Sequence, residues 1–352
     1  MNLNFFDYDL TKRNGSADLL KGLAVIFMIQ VHIMQLFAEE SLFNSLTGAF
    51  SLFLGGPPAA PVFMTVMGYF LAVSKKDLES SLMRGLYLFL GGILLNIGLN
   101  FSLLIKIYNN EFFLDPFQYI FGVDILILAG LSIIILSLLR KIISLHFLIP
   151  LLLSFLIAWL TAFSLEFTEP HSHFLRYLIP MIGGNWSWSF FPLLPWLAYP
   201  MLGWSFYLMQ QEFGYRFKAD KQITILVIIA WALYMYITFD FALIVSSNLP
   251  VYYHHEIEFF VWTLLFLSGY LFIVSKINSI SLVAKPLVYL KWIGKNVTPV
   301  YVFQWLIIGN ISTFIYKTQS LLFSFLWFFA ILLVVTLLVI IWNKIPKNYR
   351  PL

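Results

Sequence analysis

The chain has no cysteine, which excludes a disulfide, a thioether-linked haem and any cysteine metal site. Charge is scarce too. Asp, Glu, Lys and Arg make up 11% of the residues, against about 25% in a soluble domain. A 352-residue chain of 40.8 kDa cannot coat a water-facing surface with so few charges, so lipid must solvate most of it. A mean hydropathy of +0.87 agrees. The formal charge is only +4, and the 21 Lys and Arg are scattered rather than gathered into a stripe, so nucleic acid is not an expected partner. Any catalysis falls to His, carboxylates, hydroxyls or amides. What the chain has in abundance is aromatic rings, with 37 Phe, 18 Tyr and 11 Trp. Such rings collect at membrane interfaces and are foreign to low-complexity disorder.

A transmembrane helix needs roughly 20 mainly apolar residues. Ten stretches qualify, at about 20–38, 47–73, 83–105, 119–139, 142–164, 190–210, 222–245, 258–275, 297–316 and 321–343. The first is too long, and lacks the small-residue cleavage site, to be read as a signal peptide. With the N-terminus inside, 18 of the 21 basic residues fall on the inner side, leaving Lys106, Arg176 and Lys317 outside. Basic residues mark cytoplasmic loops, so both termini are expected in the cytoplasm. The outer loops hold the pairs His171 with His173 and His254 with His255. One outer loop contains the run FLRYLIPMIGG, too short to span and expected as an interfacial or re-entrant helix. With no linker and no repeat, residues 1–352 are expected to form one domain. The fold class is all-α, a polytopic integral membrane helix bundle.

Ionisable groups inside a span are costly and usually face a cavity. The string SADLLKGLAVIFMIQVHIMQLF sets Asp18, Lys21, His32 and Gln35 on one helix. His32 follows Lys21 by eleven positions, which at about 100° per residue returns to nearly the same face, about 16 Å further along. A polar stripe therefore climbs from the inner boundary towards the outer half of the bilayer. As a functional group His32 would be a general base, since imidazole titrates near neutral pH; a structural histidine bonded to a neighbouring helix is the alternative. For Asp18 and Lys21, helix capping and ordinary inner-boundary topology are the competing explanations.

Other polar residues leave similar choices open. Asp124 lies near the outer end of the fourth span and Asp240 near that of the seventh, and either is functional or merely interfacial. Asn96 and Asn100 are spaced for bonds between helices. Arg84 opens the third span as a topology anchor or as a partner for phosphate. Asn296, Tyr301 and Gln304 place polar groups on the ninth span, with a hydrogen-bonded bundle interior as the default. His254 and His255 beside Glu256 invite a metal, but neighbouring helical residues point about 100° apart, so no metal is expected. The runs GGPPAAPVFMTVMGYF and FPLLPWLAYPMLGW, the latter carrying Trp196, predict two broken helices. Broken backbone at membrane depth is tolerated where it is buried in protein or lines a cavity.

The block RNGSADLLKGLAVIFMIQVH resembles the opening of the transmembrane acyltransferases related to heparan-alpha-glucosaminide N-acetyltransferase. APVFMTVMGYFLAVSKK, LMRGLYLFLGGILLNIG, FGVDILILAGLS, FPLLPWLAYPMLG and WIGKNVTPVYVFQW resemble that family's later segments, in the same order, from residue 13 to about residue 305. The wider superfamily includes acyltransferase family 3, whose first span has an Arg followed after ten residues by His. Lys21 and His32 keep that spacing with Lys in place of Arg, which gives up a bidentate guanidinium contact. Gln304 stands where relatives often have His.

The resemblance implies an enzyme that moves an acyl group, commonly acetyl, from cytoplasmic acyl-CoA to a glycan or other cell-envelope acceptor. Arg13, Asp18, Lys21 and Arg84 are then expected at the donor. His32 and Asp124 are expected at the chemistry, and His254, His255, Trp196, Tyr301 and Gln304 at the acceptor. Acyl-CoA, the acceptor and the lipid bilayer are the expected partners, with a homodimer left open, and a bacterial plasma membrane is the expected location. Two rival readings are a secondary transporter, which also needs broken helices and intramembrane charge, and a catalytically silent membrane scaffold, to which the Lys21 and Gln304 departures point.

Overall fold

Backbone amides inside a bilayer find no water, so a spanning chain must be helical or close into a barrel. The computed structural model takes the helical route, and it describes residues 15–167, 172, 175–214, 221–278 and 284–346. Arg13, His171 and His173 lie outside the described residues. Among those described no strand forms; two isolated parallel bridges, Ala38 with Gln319 and Val123 with Ser189, tie loops together.

Helix α1 (Gly15–Leu36) is followed by the short α2 (Glu40–Phe43), then α3 (Leu46–Gly55) and α4 (Ala60–Val73). Helices α5 (Leu78–Leu99), α6 (Phe101–Tyr108), α7 (Pro116–Ile120), α8 (Ile125–Ile143) and α9 (Leu148–Ser164) come next. Beyond them lie α10 (Leu175–Ile182), α11 (Leu193–Trp196), α12 (Ala198–Phe213), α13 (Lys221–Ser247) and α14 (Leu249–Tyr253). The chain closes with α15 (Ile257–Asn278), α16 (Ala284–Lys295), α17 (Val297–Ile315) and α18 (Leu321–Lys344). The FLRYLIPMIGG run is helical, as α10.

Eight segments among the described residues are long and apolar enough to cross a membrane, α3 and α4 counting together as one. The chain is thus an all-α polytopic membrane protein. The expected fifth and sixth spans differ from the rest, because they fall on the shorter helices α9 and α12. The third span ends sooner than expected, at Leu99 rather than 105. There the Asn100 side chain donates to Asn96 O at 3.0 Å and to Tyr119 O at 3.3 Å, which draws the chain out of the helix and starts the amphipathic α6. The fourth starts later, at Ile125, because Asp124 caps it.

Both expected helix breaks are present. The second span breaks at residues 56–59, and α11 carries the non-helical Leu194 ahead of α12. Neither break lines either of the two cavities described below. Both are packed inside protein instead, with Ala59 and Trp196 fully buried and the Ala59 and Leu197 amides bonded to Gly56 O and Leu193 O.

Small residues set the helix crossings, as is usual where lipid supplies no hydrophobic drive between helices. A Cβ on Gly68 of α4 would lie 2.0 Å from Pro200 O of α12, and one on Gly203 would lie 1.9 Å from Thr65 O. These two backbones therefore touch. Helix α1 is the hub, packing against α3, α4, α15, α16, α17 and α18. The polar stripe along α1 accordingly faces protein.

Candidate active site

The basic end of the bundle is built by another close crossing. A Cβ on Gly22 of α1 would come 1.9 Å from Leu290 O, and one on Gly294 of α16 would come 1.7 Å from Asp18 O. Lys21 and Lys295 are neighbours of those glycines and are drawn to one mouth. The turn after α4 adds Lys76 and the first turns of α5 add Arg84. These four cations line a cavity of about 1230 Å³, with Asp18 the one carboxylate among its walls. Lys21 Nζ is 2.7 Å from Asp18 Oδ1 and 5.8 Å from the centre of the Phe70 ring. The buried Asp18 carboxylate therefore fixes Lys21 in place. It cannot itself attract a phosphate, so its expected part at the donor narrows to holding Lys21. The cavity walls turn apolar inward and end near Leu126 and Val302, each one or two residues from Asp124 and Tyr301.

Those two residues meet at the far end. Tyr301 donates to Asp124 Oδ2 at 2.5 Å, and the Ile125 amide donates to Asp124 Oδ1 at 2.6 Å. The loop that carries Asp124 is clamped on both sides. Asn96 donates to Ile120 O at 3.1 Å and to Gly122 O at 2.7 Å. Val123 receives the Phe190 and Phe191 amides and donates to Trp188 O. Tyr253 sits within electrostatic reach of Asp124 and of the Gln35 amide. His32 lies against Trp305 of α17, ring centroids 3.9 Å apart and planes tilted 30°. It is only half-buried although deep in its span, with Nδ1 sealed and unbonded. Gln304 is fully buried, and both polar atoms of its amide lack a partner.

A second cavity, about 340 Å³, opens at the opposite end and is lined by His254, His255, Glu256, Glu258, Asn185 and Phe259 among others. His255 is held from both sides, Nδ1 donating to Tyr252 O at 2.7 Å and Nε2 accepting from Tyr199 at 2.7 Å. Burial pushes both imidazoles down to about 4, so both are neutral at physiological pH. Trp196, expected at the acceptor, is fully buried and donates through its indole to Tyr253 O at 2.7 Å; it lines neither of these two cavities and braces Tyr253 instead. Asp240 is exposed on α13. Among the described residues no three His, Asp or Glu side chains are grouped to hold a metal.

The expected residues therefore fall into three places: Lys21, Asp18 and Arg84 at the basic cavity; His32, Asp124, Tyr301 and Gln304 in the middle; His254 and His255 at the opposite end. Lys76 and Lys295 were legible only as topology residues, and nothing in the sequence marked Tyr253 and Trp305 beyond their neighbours His254 and Gln304. The family model of the acyltransferase domain matches residues 14–342. The chain belongs to acyltransferase family 3. Its membrane acyltransferase character follows from that membership, which takes in the basic cavity, the intramembrane polar cluster and the opposite cavity in a single stretch. No curated protein and no solved structure matches this acyltransferase.

Proposed function

We propose that this acyltransferase moves an acyl group, acetyl in the simplest case, from cytoplasmic acyl-CoA to a glycan hydroxyl or amine presented at the other side of the membrane. The carrying observation is the 1230 Å³ cavity with Lys21, Lys76, Arg84 and Lys295 at one end and an apolar throat at the other. Nucleotide phosphates suit the cations, and a pantetheine arm suits the throat. The inward end of the throat is near the Asp124 and Tyr301 pair. His32, half-buried beside Trp305, then takes the proton from the acceptor. The cavity with His254, Glu256 and Glu258 offers the acceptor hydrogen-bonding partners.

On this reading the protein sits in a bacterial plasma membrane with both termini in the cytoplasm, as a monomer or a homodimer, and its sequence blocks align it with the relatives of heparan-alpha-glucosaminide N-acetyltransferase. The test is purified protein in detergent with acetyl-CoA, first for binding and then for release of free CoA thiol when envelope glycans are added. Binding with glycan-dependent release supports the proposal, and absence of binding rejects it. In the same assay His32→Ala should keep donor binding and lower turnover by about 10²-fold or more, the usual scale for general acid–base catalysis. Undiminished turnover would move the base to another residue.

A further inference from the structure

Buried polar groups without partners are uncommon and call for a cause. Among the described residues Gln304 is alone in having both polar atoms of its side chain buried and unpaired. It occupies the middle of a stripe on α17, between Val300 and Ile308, which pack in one core cluster with Val25, Ile29 and Ile33 of α1. The amide is therefore buried at the seam between these two helices. The next residue, Trp305, has its indole Nε1 buried, within electrostatic reach of the Tyr301 hydroxyl one turn away but not at hydrogen-bonding geometry, and its ring lies on His32, whose Nδ1 is buried and unpartnered. Three side chains at one helix seam thus hold four buried polar atoms with no hydrogen bond. Two of the four, Gln304 Nε2 and Trp305 Nε1, can only donate. An apolar pair would fill the seam at lower cost unless these groups meet a ligand.

We propose that Gln304 and Trp305 are the hydrogen-bond donors that hold the donor's carbonyl oxygen as it becomes an oxyanion. This assignment rests on the acyl-transfer reading of the same site. In the step, the His32 imidazole accepts the proton of the acceptor hydroxyl while the hydroxyl oxygen bonds to the thioester carbon. The carbonyl π pair moves onto oxygen, where Gln304 Nε2–H and Trp305 Nε1–H receive it. Collapse re-forms the carbonyl and breaks the carbon–sulfur bond, with its electron pair leaving on sulfur. The imidazolium proton passes to the thiolate, giving the acyl ester and free CoA. Neutral donors suit the membrane interior, where a fixed cation would be costly. Prepositioned donors in a low-dielectric site need no reorganisation when charge develops. The contact between Trp305 and His32 fixes base and donor relative to each other.

The experiment compares wild type, Gln304→Leu, Gln304→His and Trp305→Phe by single-turnover CoA release from acetyl-CoA and by the infrared stretch of carbonyl-labelled acetyl-CoA in the bound state. Gln304→Leu should lower the rate of transfer by about 10²–10³-fold, the usual cost of one oxyanion donor, with little change in KM. The bound carbonyl should stretch at higher frequency than in wild type. Gln304→His, which restores a donor, should recover part of the rate. A Gln304→Leu protein with wild-type turnover and an unshifted carbonyl overturns the assignment. If that variant does not fold, Trp305→Phe decides: it keeps the ring on His32 and removes the N–H, and wild-type rate and frequency there overturn the assignment equally. Wild-type protein that binds no acetyl-CoA rejects the acyl-transfer reading and this assignment with it, whereas normal transfer by wild type and by the variants at both positions alike rejects the assignment alone.

Discussion

The hydroxyl of Tyr301 donates to the carboxylate of Asp124 across 2.5 Å, joining two residues 177 positions apart in the chain. Asp124 caps α8 and Tyr301 lies one turn into α17, so a single hydrogen bond ties the first turns of two helices of the site. Tyr301→Phe keeps the ring and leaves the buried carboxylate one partner short. It should cost about 1–3 kcal/mol, the usual consequence of stranding a buried acceptor, read as a lower thermal midpoint in detergent. An unchanged midpoint would show that the bond adds nothing to stability.

The basic cavity makes a second prediction. Arg84→Gln and Lys295→Gln should each raise the Kd for CoA by about tenfold, since a charge-assisted hydrogen bond contributes about 1.5–3 kcal/mol. The effect should shrink at high salt, which screens exposed charges. An acetyl-pantetheine donor, which has no nucleotide phosphates, should bind both variants as it binds wild type. Equal losses for both donors would mean that the substitutions damage the fold. Lys21→Ala is the less clean variant, because it also strands the buried Asp18 carboxylate.

Acid should weaken the protein through the histidine pair. Unfolded, His255 titrates near 6.5, whereas burial holds the folded imidazole at about 4. Between those values unfolding takes up a proton, so its contribution to stability is complete above about pH 6.5 and declines as the pH falls towards 4. A shift of this size amounts to about 3 kcal/mol over the window. His255→Asn should flatten the dependence of the unfolding midpoint on pH across that range; a slope identical to wild type would assign the acid sensitivity elsewhere.

The absence of cysteine gives a ready test of topology, since any introduced thiol is unique. With both termini inside, Lys218→Cys should react with a membrane-impermeant reagent only from the cytoplasmic face, and Glu256→Cys only from the other. The ten-pass arrangement depends on the shorter helices α9 and α12 both crossing. Reversed labelling, with Lys218→Cys reached from the far face and Glu256→Cys from the cytoplasm, would mean that only one of α9 and α12 crosses.

Hydropathy alone determined that this chain lives in lipid as a helical bundle, because the transfer of long apolar segments is a local property summed along about 20 residues. Spacing alone set Lys21 and His32 on one face of α1, because a helix repeats its geometry wherever it lies. The capping role of Asp124 and the boundary it sets came only with the fold, as did the use of Asn96 to clamp its loop. The partners of the polar groups were out of reach for a physical reason. A helix such as α18 is apolar on every side, so its pattern does not say which face meets protein and which meets lipid. Rotation and depth are decided instead by where backbones can approach. Gly22 against Leu290, Gly294 against Asp18, and Gly68 against Pro200 set those approaches. Tertiary packing of this kind turned Lys76 and Lys295 from topology markers into walls of one cavity, laid Trp305 on His32, and brought Tyr301 to Asp124.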